Sequence, residues 1–129
     1  MRRISFAFTT AQVRARLKTV TRRLGWATLQ PGTELLAVSK GMGLKKGEQA
    51  EVLGVIRVVS VRRERLDDLV DPARPTYGEE EMAREGFPGM DPQDFMLKFF
   101  LEHQDPSEPV TRIEFEYVDV PARRLSAAA

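Results

Sequence analysis

The chain has 129 residues, 42% of them hydrophobic and 30% charged, with no cysteine and a net charge of +1. That length suits one domain with its own core, and the missing thiols exclude a disulfide framework and a thiolate metal site. The near-neutral total conceals a division: residues 1–65 hold 14 Lys and Arg against 4 Asp and Glu, whereas residues 66–129 hold 6 against 15. Such asymmetry fits either an anion-binding half or two halves that neutralise each other across one fold.

The chain opens on "MRRISFAFTT", whose apolar stretch is too short for a signal-peptide core, and no later segment approaches a membrane span. A cytoplasmic protein without membrane contact is the expectation. "RISFAF" (3–8) is apolar and β-prone and predicts a first strand. Thr9 and Gln12 have the spacing of a capping box, opening a helix to about Lys18 with Val13 and Leu17 on its buried face. In "RARLKTVTRRLGW" (14–26), five cations lie between Arg14 and Arg23, with Thr19 and Thr21 among them. "KTVTRR" is expected to end this helix at the mouth of a cleft.

"LQPGTELLAVSK" reads as a turn and a strand. "GMGLKKGE" is a basic, glycine-rich loop without a phosphate-loop pattern. Residues 50–66 are Val-rich and predict a long strand, with Gly54 marking a bulge. "DDLVDPARPTYGEEE" is an acidic loop or short helix, and "EEE" (79–81) reads as a solvated helix start. A helix follows, closed by Gly86. Asp91 as N-cap and Pro92 at the first helical position open another, with Phe95/Phe99 and Met96/Phe100 at i,i+4 on a wide buried face. "VTRIEFEYV" alternates apolar and polar residues and predicts a half-buried closing strand. The tail, 121–129, reads as disordered. His103 has no metal partners in the pattern and is expected only to end a helix. No cofactor is implied.

The resulting order, β-α-β-β-α-α-β, predicts an α+β domain over residues 1–120, a small bent sheet or barrel carrying helices. "LKTVTRRLGW", "PGTELLAVSK", "VLGVIRVVSVRRERL", "EMAREGF", "FMLKFF" and "VTRIEFEYV", in that order, together resemble the ASCH domain family. Leu17 departs from the pattern, which favours a small residue there. The resemblance implies a compact mixed β-barrel similar to the PUA domain of RNA-modifying enzymes, and RNA or a modified nucleoside as partner. Some members are similar to a bacterial amidohydrolase that removes the acetyl group of N4-acetylcytidine. Matched motif to motif, its lysine, threonine and glutamate fall on Lys18, Thr21 and Glu85.

A threonine hydroxyl needs a neighbour to take its proton, and a lysine can do so only if its pKa falls. A carboxylate can protonate a leaving amine or assist the base. Arg22 and Arg23 suit phosphate contacts. Trp26 suits stacking on a base or closing a core, and Lys40, Lys45 and Lys46 could line the same groove. Three readings follow: an RNA- or nucleoside-binding module, an amidohydrolase of acylated nucleosides, and, ranked last, a ribonuclease. The opposite charges of the two halves suit a homodimer or meet inside a monomer.

Overall fold

The computed structural model describes residues 1–40, 45–102 and 104–121. The "GMGL" part of the basic loop, His103 and all but the first residue of the tail lie outside the described residues, as do the readings placed on them. Among the described residues five strands form one sheet: β1 (Arg3–Ser5), β2 (Val20–Arg23), β3 (Glu34–Val38), β4 (Val52–Arg65) and β5 (Pro109–Val118). The helices are α1 (Thr10–Arg14), α2 (Tyr77–Glu85) and α3 (Pro92–Phe99), with a 3-10 turn at Leu66–Val70. No described helix is long and apolar enough to cross a membrane.

The sheet order is β1-β3-β4-β5-β2, with β1 parallel to β3 and the other pairs antiparallel. It is an α+β sheet that stays open, which agrees with the bent-sheet reading and does not show the barrel that the resemblance implies. β1 and β2 are its edges, and they are only three and four residues long, too short to close a ladder. What spans the gap is a side chain: Arg23 Nη2 donates to the Ser5 carbonyl at 2.6 Å.

The long strand β4 bends at two bulges. Ala37 pairs with Gly54 but Val38 pairs with Val52, so Leu53 is the extra residue, next to Gly54 as its sequence suggested. The second shift falls between Val58 and Ser60. The curved sheet packs Ile4, Phe6, Leu35, Ile56 and Phe115 against Val13 of α1. A second core joins Met82 of α2 and Phe95 and Met96 of α3 to Leu66, Leu69 and Val110.

Helix α1 differs from its expectation. The Thr9 side chain makes no cap; Thr10 Oγ1 donates to the Phe6 carbonyl instead, at 2.8 Å. The helix stops at Arg14, Arg16 turns left-handed (φ 58°), and Leu17 is left exposed. "VTRR" is strand β2, not a helix end. Val20 and Thr21 are β-branched and disfavour a helix, and β5 offers a ladder to pair with.

Helix α2 ends as read, with Gly86 left-handed at φ 97°. In α3 the Asp91 side chain accepts from the Gln93 amide at 2.8 Å. Gly78 lies where α2 crosses the 3-10 turn. A Cβ there would stand 2.1 Å from the Leu69 carbonyl oxygen and 2.8 Å from Pro92 Cγ. Gly→Ala normally stabilises a helix interior by about 1 kcal/mol. Gly78→Ala should do the reverse, costing roughly 3 kcal/mol through overpacking. A thermal midpoint equal to or above that of the parent would refute this contact.

Candidate functional site

The register of the sheet sets out a row of like charges. Arg22 of β2 stands opposite Arg112 of β5, and Arg112 stands opposite Arg62 of β4. Directly opposed residues share a face and lie close enough to repel when equally charged. Helix α2 answers this row with Glu81 and Glu85, four residues apart and therefore on one helix face.

Glu81 accepts from Arg22 Nη2, from Arg112 Nε and Nη2, and from Arg84 Nη1 at 2.8 Å. Glu85 Oε2 accepts from Arg22 Nη1 at 3.0 Å. Glu64, on β4, accepts from Arg22 Nε at 3.0 Å and from the Tyr77 hydroxyl. Arg22 thus contacts three carboxylates, and its side chain and that of Glu81 are 0% exposed. Burial pushes the Glu81 carboxyl up, but the hydrogen bonds from Arg112, Arg22 and Arg84 outweigh it and hold the pKa at about 2. Burial pushes the Arg22 guanidinium down, and its carboxylates reverse that and raise it.

Lys18 reaches this network from the turn before β2. Leu17 and Lys18 both donate their amides to the Gln12 carbonyl, and the Tyr117 hydroxyl donates to the Lys18 carbonyl. The turn so fixed sends the Lys18 side chain inward. Lys18 Nζ donates to Glu85 Oε1 at 2.6 Å and to the Glu85 carbonyl at 2.8 Å. The lysine therefore caps the C-terminus of α2 as well as pairing with its last carboxylate. Gly86 lets the two approach: a Cβ there would lie 2.9 Å from Gln12 Cβ and 3.4 Å from Lys18 Cβ. Burial lowers the Lys18 pKa from 10.5; the Glu85 carboxylate opposes this, while Arg23 and Arg22 add to it.

Alternate residues of a strand face opposite ways. Arg22 enters the carboxylate network, whereas Thr21 and Arg23 turn toward the segment after β1. Arg23 Nε donates to Thr21 Oγ1 at 3.0 Å. Burial pushes the Arg23 guanidinium down to about 10, with only the Glu85 carboxylate opposing it.

Between the two sheet edges lies a cavity of about 260 Å³, where Lys18, Thr21, Arg23 and Glu85 form a polar wall and the rings of Phe8 and Phe99 stand among its apolar lining. The structure thus brings the predicted trio to one cavity, with Lys18 and Glu85 in direct contact.

Other predicted site residues fall elsewhere. Arg22 borders the cavity, but its N–H groups are committed to carboxylates, so it is not free to grip a phosphate. Trp26 lies outside, half-buried against the first core with the Arg2 guanidinium 3.8 Å from its ring centroid. Lys40 stands 3.5 Å from Glu48 on the surface, and Lys45 and Lys46 are exposed; none of the three lines the cavity. Sequence reading missed Glu64, Glu81 and Arg112 as buried partners. The i,i+4 spacing of Glu81 and Glu85 beside Met82 was the available signal, since it puts both acids next to an apolar position. Among the described residues no group of His, Asp and Glu is arranged to hold a metal ion.

No family model matches the chain, and no curated protein matches it. Among solved structures, the crystal structure of protein EF3133 from Enterococcus faecalis V583, described under the family model DUF984, is similar to it. The alignment covers 95% of this chain and 83% of that one, at 16% identity and a TM-score of 0.48. At that level no residue role passes from one protein to the other.

Proposed function

We propose that the cavity binds one acylated nucleoside and removes its acyl group, as an amidohydrolase of the ASCH type. The observation that carries this reading is the buried contact of Lys18 with Glu85 in a cavity that Thr21 also lines. Deacylation needs an attacking oxygen, a base for its proton and an acid for the departing amine. Thr21 supplies the hydroxyl. Arg23 donates to its oxygen, so the Thr21 proton points away from Arg23, and in this reading neutral Lys18, on the same cavity wall, takes it. The acyl carbon bonds to Oγ1, Lys18 returns the proton to the nitrogen as the C–N bond breaks, and water then hydrolyses the ester. Glu85 holds the lysine in place and tunes its pKa.

The volume suits a nucleoside better than a polynucleotide groove. The surface cations favour the same choice, because Arg14, Arg16, Arg57 and Arg65 already pair with Glu51, Asp119, Glu34 and Glu116, and Asp67. RNA phosphates would have to displace those partners.

The test is incubation with N4-acetylcytidine and detection of cytidine. Turnover should rise with pH to a plateau, with an inflection below 10.5, since the active form carries neutral Lys18. In Glu85→Gln the inflection should move lower still, because the carboxylate holds the lysine pKa up. Absence of turnover on any acylated cytidine, or a rate that falls with rising pH, would remove the amidohydrolase reading.

A further inference from the structure

Three buried cations and three buried carboxylates pair off beside the cavity, and one half-buried cation is left over. Lys18, Arg22 and Arg112 meet Glu64, Glu81 and Glu85 in direct hydrogen bonds. Arg23 is a fourth cation. Among the described residues no carboxylate accepts from it; its partners are the Thr21 hydroxyl and the Ser5 carbonyl, and its guanidinium lies 5.1 Å from the centroid of Phe6. A guanidinium carries five donors, and these contacts use two. Arg23 is half-buried and Glu85 lines the same cavity without accepting from it, so three of its donors are left for a ligand there. The guanidinium lines the cavity, and so do Phe8 and Phe99, with ring centroids 5.9 Å apart. Phe8 is 81% exposed at the rim, where its ring is open to stacking by a flat ligand.

We propose that Arg23 is an oxyanion-binding residue, and that the cavity's ligand class is a flat aromatic ring carrying an acyl group at its edge, the acyl oxygen meeting Arg23 as it gains negative charge and the ring lying against Phe8 and Phe99. This deepens the deacylation reading and rests on it for the chemical step. When Thr21 Oγ1 bonds to the acyl carbon, the π pair of the carbonyl moves to its oxygen, and the free Arg23 N–H groups receive that charge. When the C–N bond breaks the pair returns to the carbonyl, and the acid released by hydrolysis leaves a carboxylate beside the same guanidinium. Preformed donors aimed at such a charge contribute 10²- to 10³-fold in rate.

The test uses binding, not turnover, with benzoate as the charged probe and benzamide as its neutral isostere, by titration calorimetry on the full chain. Benzoate should bind at least tenfold more tightly than benzamide, and Arg23→Gln should abolish that preference while Arg23→Lys retains part of it. Phe99→Ala should weaken both probes alike. In the wild-type protein benzoate should shift the Arg23 Nη–H resonances and benzamide should not, which keeps the test decisive even if Arg23→Gln does not fold. Equal affinity for the two probes, an unmoved Arg23 resonance, or no binding at millimolar concentrations overturns the proposal. Benzoate preference without N4-acetylcytidine turnover leaves the subsite and removes the enzyme. Turnover without the preference does the opposite.

Discussion

Glu81→Ala should cost about 4 kcal/mol of folding stability, the scale on which removing one partner of a buried charge pair destabilises a protein. Few single substitutions reach that size. The reason lies in what remains behind. Arg22 keeps Glu64 and Glu85, but Arg112 loses the carboxylate that both its Nε and Nη2 address. A guanidinium on a central strand would then be buried without an anion. Glu80→Ala, one residue away with a half-exposed side chain, should change stability by less than about 0.5 kcal/mol. Denaturant midpoints of the two variants decide the matter, and a loss below about 1 kcal/mol in Glu81→Ala would mean the network is slack.

Acid provides a second view of the same carboxylate. Its pKa is depressed from 4.5 to about 2 on folding, so its contribution is present in full above 4.5 and disappears as the pH falls through 2. That shift corresponds to about 3 kcal/mol. The stability gap between the wild-type protein and Glu81→Gln should therefore narrow between pH 4.5 and pH 2 and be nearly closed below it.

Lys18→Met should lower kcat/KM for N4-acetylcytidine by about 10³-fold, the middle of the range for loss of a general base, while leaving the fold intact. The structure separates these effects. Methionine preserves the buried alkyl stem, and Glu85 still pairs with Arg22 at 3.0 Å, so no carboxylate is left unpartnered. The expected signature is a single cooperative unfolding transition, lowered by the lost cap and the lost pair at Glu85 Oε1, with almost no cytidine released. A variant that still turns over within tenfold of the parent would show that the lysine is structural, a cap on α2 and no more.

The parts of the fold that could be read in the sequence are those whose causes are local. Asp91 and Pro92 announce the start of α3, and Gly86 the end of α2, because capping is decided within a few residues. Gly54 marked its bulge for the same reason. β2 could not be recognised this way. Its four residues carry no clear alternation, and their strand character depends on β5, which pairs Val20 with Glu114.

The candidate site divides along similar lines. Lys18, Thr21 and Glu85 were found through resemblance to a family pattern, and no local feature would have singled out Glu85. Glu81 was misread as a solvated acid because single-sequence reasoning prices charges as surface residues; only the arginine row beneath α2 reverses that price. Arg22 and Arg23 looked equivalent as neighbours, yet strand alternation sent one into the carboxylates and the other to the cavity.

The arginine row also has a meaning for the order in which the chain is made. Arg22 waits for Glu85, 63 residues further on, and Lys18 for the same residue, 67 further on. At ordinary translation speeds of about 5–20 residues per second, that delay is roughly 3–13 s. Through this interval the nascent chain carries a basic half, 14 cations against 4 acids over residues 1–65, with its covering helix still unsynthesised. The first half cannot mature alone, since its edge strand β2 and its central cations take their partners from the second. Folding of this domain thus waits for α2 and β5, which bring the carboxylates and the ladder that Lys18, Arg22 and β2 take as partners.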